Sequence, residues 1–466
     1  MNRQNFLGHL TLALALIGLA AMAGQVRRWQ HHHQHTEGVL VADSRTTTTV
    51  APRHDFKRAE VLVRFHPGTT VDRMRNIARR LHDQVEDEIE AVDGLAVIEG
   101  EDGETAEEIA AQYRSLPELV AYAEPSYEIN LDQETAGGTS GEHPDDPMFG
   151  EQWSLENTGQ NGGRAQADIS ALRAWARTTG SSKVVVAVID SGVDYTHQDL
   201  LNNIWVRPPD MDEYTDDELG TIDDAYGFNA VSDNGDPMDQ NGHGTHCAGI
   251  IGAEGGNALG IAGVNWKVEI MPLKFIDASG SGTTKDAIKA INYVINRKRA
   301  GVNVQIISAS WGSTMYSKAL EDAIREAGEE GILFIAASGN ASANADKSPH
   351  YPASYNLPNV ISVAALNRQD ELASFSNYGA KSVHIAAPGA EILSTWLNGD
   401  FREASGTSMA TPEVAGVAAL VLSAEPGLSM KELRERLLNS VDKLDSLSGK
   451  VSSGGRINAA KAVGAD

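Results

Sequence analysis

Hydrophobic residues change their spacing several times along this chain, and each change predicts an element. Glu60–Phe65 alternates as a strand, Val71–Leu81 has helical spacing, and strand-like stretches follow at Val85–Val92 and Leu95–Glu99. A helix over Thr105–Arg114 and a strand over Leu119–Ile129 complete a βαββαβ order. That order predicts a small ferredoxin-like α+β module, one sheet with two helices on a face. The stretch Asp132–Asp145, rich in Gly, Thr and acidic residues, reads as an exposed linker.

Beyond the linker, apolar runs alternate with amphipathic helices. Strands are expected at Val184–Asp190, Val268–Phe275, Val304–Ser308, Ile332–Ala337, Val360–Ala365 and Val383–Ala387, and helices at Thr284–Arg299, Ser317–Glu330 and Met409–Ser423. Continuous β-branched strands separated by helices predict an α/β domain with a mostly parallel central sheet flanked by helices. In such sheets chemistry gathers beyond the carboxyl ends of the strands. Candidate residues should therefore lie at strand ends or helix starts.

Composition narrows the class. A net charge of -26 over 466 residues argues against nucleic-acid binding. Cys247 is the one cysteine, so no intramolecular disulfide can secure the loops. Arg3, an apolar run from Phe6 to Ala23 and the ending Ala21-Met22-Ala23 read as a cleaved signal peptide, residues 1–24, with an uncleaved membrane anchor as the alternative. Residues 25–58, with His31-His32-His33-Gln34-His35, read as a flexible leader. Export is expected, to the exterior or the periplasm, with no stable membrane association once the signal is removed.

Asp190 ends an apolar strand and runs into Ser191-Gly192; His243 lies in a Gly-rich turn, Asn241-Gly242-His243-Gly244-Thr245-His246, that opens a helix; Ser408 lies in Gly406-Thr407-Ser408-Met409-Ala410-Thr411-Pro412, just before an apolar helical run. Together they supply an orienting carboxylate, a general base and a nucleophile. The Ser408 N–H at a helix N-terminus would donate to a developing oxyanion. The Asn340 amide, in Ser338-Gly339-Asn340 after another buried strand, would donate from the opposite side.

These motifs, in the order Asp…His…Ser, resemble the subtilisin-like serine proteases, over about residues 146–466. Cys247, one helical turn after His243, and Gly260-Ile261-Ala262-Gly263 resemble the thermitase-like branch. The resemblance implies a serine endopeptidase acting on polypeptides as a monomer, and makes residues 59–131, ending Val120-Ala121-Tyr122-Ala123-Glu124-Pro125, an inhibitory propeptide. Its last strand would occupy the cleft, with self-cleavage between about Leu131 and Asp145, in the linker 132–145. Glu413 stands where the family usually has His.

The resemblance also places the substrate-binding edges at Gly280, Ser281 and Gly282 and at Ser310, Trp311 and Gly312. The first specificity pocket would be walled by Ser310–Gly312 and by Ala337, Ser338 and Gly339. No fixed acid lies in those segments, so a large apolar or aromatic P1 residue is expected; His350 and Asp346–Ser348 stand as modifiers of the pocket floor. Similarity to the family's tight calcium site selects Asp146, Asp199 and Asn257 as side-chain ligands, with carbonyls of Glu254, Leu259 and Ile261. Asp210–Asp224, continuing toward Asp233, Asp236 and Asp239, is a second acidic stretch without EF-hand spacing. No organic cofactor is expected. Cys247 reads as a core residue. A catalytically silent fold serving as a binding module would not require the complete triad and Asn340. A serine esterase would need G-x-S-x-G and the order Ser…Asp…His, and neither fits.

Overall fold

The structure, a computed structural model, describes residues 59–100, 104–131 and 144–465; the segments read as signal peptide, leader and most of the linker lie outside the described residues. The N-terminal module is a four-stranded sheet of β1 (Glu60–Phe65), β2 (Gln84–Glu88), β3 (Leu95–Glu99) and β4 (Val120–Pro125), in the order β2-β3-β1-β4. Helices Val71–Arg80 and Ala106–Arg114 bury Met74, Ile77, Ile109 and Tyr113 against Val61, Val63 and Ile98. Thr105 caps the second helix reciprocally with Glu108, satisfying two backbone donors at its start.

The expected strand Leu119–Ile129 is two strands. After Pro125 the chain leaves this sheet, and β5 (Glu128–Leu131) joins a different one, a three-stranded ribbon between β11 (Ser281–Thr283) and β13 (Trp311–Gly312), antiparallel to both. A proline lacks the N–H that a continuing ladder would need, so a strand change there is locally favoured.

The large domain is built on a nine-stranded sheet. Apart from a separate hairpin of β7 (Tyr214–Asp216) and β8 (Gly220–Ile222), its main strands are β6 (Gly180–Asp190), β9 (Phe228–Asn229), β10 (Lys267–Lys274), β12 (Val304–Ala309), β14 (Leu333–Ala337), β15 (Val360–Leu366), β16 (Ile385–Pro388), β19 (Val441–Lys443) and β20 (Gly455–Ile457). They lie in the order β19-β20-β16-β15-β14-β12-β6-β10-β9, parallel except for the β19–β20 pair. This is the mostly parallel α/β architecture expected from the apolar runs.

From β6 the chain builds outward to one side through β10, then returns to build the other side from β12. The reversal opens a crevice at the carboxyl ends of these central strands. Helix Thr407–Ala424 packs across β6, β12, β14 and β15, and every residue from Thr407 to Leu422 is buried. It is the one helix among the described residues long and apolar enough to span a bilayer, and it is the core of this domain instead.

Candidate functional site

Three of the expected residues meet in that crevice. Asp190 is the last residue of β6, and its Oδ1 lies 2.8 Å from His243 Nδ1 while accepting the Ser191 N–H at 2.7 Å. His243 opens helix His243–Gly252 behind Gly242, whose φ of 105° is readily adopted by glycine. A Cβ on Gly244 would lie 2.1 Å from the Gly192 carbonyl, so this glycine lets the helix approach the end of β6. Burial disfavours a charged His243 ring, yet the carboxylate against Nδ1 prevails and holds its pKa well above the ordinary value. Burial pushes the neighbouring Cys247 thiol up, which keeps it uncharged. The ring is thus arranged to carry a proton received at Nε2, an atom with no hydrogen-bond partner.

Ser408 occupies the first turn of helix Thr407–Ala424. Pro412, four residues on, has no N–H to offer the Ser408 carbonyl. That carbonyl instead accepts the Ser310 hydroxyl at 2.8 Å and the Cys247 thiol at 3.5 Å, and Cys247 Sγ is also 3.9 Å from His243 Nδ1. Cys247 therefore stands between the imidazole and the backbone of Ser408, a packing position. Ser408 Oγ donates to the Ser310 carbonyl at 2.9 Å, so the hydroxyl faces the substrate edge instead of bonding Nε2. Such loose nucleophile geometry is common when no substrate is bound.

Asn340 follows β14. Its Oδ1 accepts from Thr407 N at 3.0 Å and Thr407 Oγ1 at 2.9 Å, which fixes the amide's orientation and turns Nδ2 away. Nδ2 is buried and has no hydrogen-bond partner among the described residues. A buried unsatisfied donor costs about 1–3 kcal/mol, a reserve that an incoming oxyanion would relieve.

The expected substrate edges face each other. β5 runs between them with Ser281 opposite Asn130, Gly282 opposite Ile129, Trp311 opposite Leu131 and Gly312 opposite Asn130. Gly280 has φ 89°, in the turn that leads into β11. Trp311 contributes only backbone: its indole is buried and donates to the Ile189 carbonyl at 2.7 Å. Ala337 ends β14, and Ser338 and Gly339 follow it, with Ser338 N bonded to Val363 O at 3.1 Å.

The expected cation residues are also brought together. Asp146 accepts from Gly256 N at 2.7 Å and Asn257 N at 3.3 Å, and Asp199 accepts from Asn257 Nδ2 at 2.8 Å and Ile261 N at 2.9 Å. Glu254 N bonds the Asp199 carbonyl and Leu259 N bonds Asn257 Oδ1, both at 2.8 Å. Burial, with the charges of Asp146 and Glu254, pushes Asp199 up to about 6. Asp146 and Asp199 are thus two buried carboxylates brought close to one loop, each already met by N–H donors, and carboxylates are the donor type a hard divalent cation takes. In the second acidic stretch, Asp224 takes Tyr293 Oη at 2.6 Å and lies 3.0 Å from Arg207 Nε, and Asp233 pairs with Lys289.

Sequence reading missed two groups. Asp239, grouped above with an acidic stretch, accepts from Ser191 Oγ at 2.9 Å, Thr245 Oγ1 at 2.6 Å and the N–H groups of Asn241, Gly242 and Thr245. It ties the His243 turn to the Asp190 turn; its spacing four residues before His243 was the available signal. Glu124 of β4 places its carboxylate at the start of helix Lys318–Glu329, accepting from Ser317 Oγ at 2.6 Å, Ala319 N at 2.8 Å and Lys318 N at 2.9 Å. Lys285, paired with Glu60 at 2.9 Å and Glu86 at 3.2 Å, adds a second polar tie between module and domain. No local pattern announces either.

Comparison with known proteins gives the chain a family. The model of the subtilase family matches residues 181–456, and that of the fervidolysin N-terminal prodomain matches residues 42–126. A thermophilic serine proteinase from Bacillus sp. (strain AK1) is 39% identical over 346 residues, 74% of this chain and 73% of that protein. Thermitase from Thermoactinomyces vulgaris is 37% identical over 295 residues, 63% of this chain and 93% of that protein. A cold-adapted subtilisin-like serine proteinase of known structure is 30% identical, covering 60% of this chain and 90% of its own, with a TM-score of 0.48. The chain belongs to the subtilase family of serine endopeptidases and carries an N-terminal prodomain of the fervidolysin type.

Proposed function

We propose that this subtilase is an exported zymogen that cleaves peptide bonds through Asp190, His243 and Ser408. His243 Nε2 takes the proton of Ser408 Oγ as the oxygen attacks the substrate carbonyl, and Asp190 orients the ring and stabilises the imidazolium. Asn340 Nδ2 and the Ser408 N–H receive the oxyanion. His243 then protonates the leaving amine, and water hydrolyses the acyl-enzyme by the reverse sequence. The observation that carries this reading is the Asp190–His243 pair at 2.8 Å, held through Cys247 against the backbone of Ser408.

The prodomain acts as the enzyme's own inhibitor. β5 lies along both substrate edges like a bound peptide, which supports cleavage by the enzyme itself in the linker that follows. Asp146, Asp199 and Asn257, with carbonyls of Glu254, Leu259 and Ile261, would hold a calcium ion. Bound there, calcium would offset the two buried carboxylates and fasten the start of the mature domain to the Glu254–Ile261 loop. The apolar segment near the N-terminus supports export. The mature enzyme works on polypeptides as a monomer.

The experiment is labelling with a serine-directed phosphonate. Adduct mass on the peptide containing Ser408, in step with loss of casein hydrolysis, is the expected result. A folded protein that neither labels nor hydrolyses would instead be a binding module on a subtilase fold.

A further inference from the structure

Lys274 is a buried cation that the mechanism above does not use. It ends β10, pairs in register with Asp190 at the end of β6, and is 3% exposed. Its Nζ donates to the Ser191 carbonyl at 2.7 Å and to the Ile276 carbonyl at 2.9 Å. Both acceptors are backbone carbonyls. An ammonium is costly to bury unless its surroundings compensate the charge, and the compensation here comes from the turn that carries Asp190.

Phe275 N and Ile276 N donate to the Asp190 carbonyl at 3.0 and 3.3 Å. The end of β10 therefore holds both carbonyls of Asp190-Ser191, one through backbone and one through the Lys274 side chain. Ser191 sends its N–H to Asp190 Oδ1 at 2.7 Å and its Oγ to Asp239 Oδ1 at 2.9 Å, and the same Oγ receives Gly244 N at 2.9 Å. With its carbonyl on Lys274, every polar group of Ser191 is engaged. The turn thus relays the position of Lys274 to the carboxylate that orients His243.

The charges around the turn give Lys274 a second task. Asp239 is buried, yet its carboxylate accepts two hydroxyls and three backbone N–H groups, which favours the ionised form. Asp190 takes both of its donors on Oδ1, while Oδ2 is buried without a hydrogen-bond partner. Burial draws the Lys274 ammonium below its ordinary range, and the carboxylates that oppose this are Asp239, Asp277, Asp190 and Asp236. His243 itself faces Asp190, Cys247 and His246; burial keeps the last two uncharged, raising the thiol and lowering His246 to about 3. Asp194, in the next turn, is committed to Thr196 and to Asn398 N. Uncompensated carboxylates at this turn would favour the imidazolium, which cannot accept the proton of Ser408.

We propose, on the protease reading above, that Lys274 is a positioning residue of the catalytic site: its ammonium fixes the Asp190-Ser191 turn and supplies the positive charge that leaves His243 a free base between turnovers. Lys274 acts through Asp190 and keeps its own proton throughout.

The test is the pH dependence of kcat/KM on an internally quenched peptide, with mature wild type, Lys274→Met and Lys274→Gln. Methionine removes the donors and the charge, glutamine the charge while keeping a donor. Expected in both variants is an acid limb displaced upward by about 0.5–1 pH unit, the scale of one charge acting across a buried site at an effective dielectric of about 20. The plateau above the limb should fall further in the Met variant than in the Gln variant. Limbs that coincide with wild type in both variants, whatever their plateaus, make Lys274 a purely structural residue; that overturns the inference and leaves the protease reading standing. Failure of wild type to hydrolyse peptide or casein at any pH overturns both. Should neither variant fold, wild type carrying 15N-lysine decides: a slowly exchanging Lys274 ammonium signal that persists through the limb is expected, and an uncharged Nζ at those pH values overturns the proposal.

Discussion

Glu413 follows Pro412 in the central helix, 1% exposed, with Oε2 lacking a hydrogen-bond partner and Ser154 as its side-chain neighbour. Burial pushes its carboxyl up from 4.5 to about 8. The native state therefore keeps a proton that the unfolded chain releases above pH 4.5. For a raised acid the sign is fixed: stability is greatest below the unfolded value and falls as pH rises to about 8. Across that interval, at about 1.4 kcal/mol for each pH unit, the ceiling is about 5 kcal/mol. Water entry and local relaxation reduce such penalties, so we expect about 2–3 kcal/mol. Glu413→Gln keeps the shape of the neutral acid and removes the titration. Thermal midpoints at one scan rate, in a Ser408→Ala background to prevent autolysis, should nearly coincide for the two proteins at pH 5. By pH 9 the Gln variant should lead by roughly 2–4 °C. A difference that stays flat from pH 5 to 9, or grows toward acid, refutes the reasoning.

Three further outcomes follow from the same geometry. Asn340→Ala should lower kcat by about 10²–10³ with little change in KM, the general scale for an oxyanion donor and one set by a subtilisin-type enzyme; unchanged turnover on folded variant removes Asn340 from the mechanism. Glu124→Ala, which strips three hydrogen bonds from a helix start, should cost about 2 kcal/mol and speed prodomain release roughly 30-fold after cleavage. A release rate equal to wild type, followed by fluorescence, would show that the cap does not hold the complex. Chelation should lower the thermal midpoint and hasten autolysis, by an amount on the order of 2–3 kcal/mol at a hundredfold excess of free calcium over Kd. Asp199→Asn should be insensitive to both chelator and added calcium, and an unaltered response would move the site elsewhere.

What the sequence made legible was local. Asp190, His243, Asn340 and Ser408 each sit where an apolar strand or helix meets a Gly-rich turn, so the pattern change that defines the element also marks the residue. Helix Thr284–Arg299 was readable to the residue because Thr283 caps it and its apolar spacing is regular. The hairpin of β17 (Ile392–Trp396) and β18 (Asp400–Ala404) was not foreseen, since its strands are short and mixed in polarity. The remaining omissions depend on distant parts of the chain meeting. Glu124 looks like a strand residue until helix Lys318–Glu329 arrives, and Glu413 looks like an ordinary helix acid until the domain closes around it. His350 was named only as a pocket modifier, because the two glycines that receive its ring lie 38 and 11 residues away.

The central claim is that Ser408 attacks a carbonyl delivered by the chain's own prodomain strand. Purified zymogen, followed by mass over time and at several dilutions, tests it directly. The account predicts that wild type cuts itself at a rate independent of concentration and that Ser408→Ala remains one intact chain. Self-cleavage of purified Ser408→Ala at the wild-type rate would contradict it.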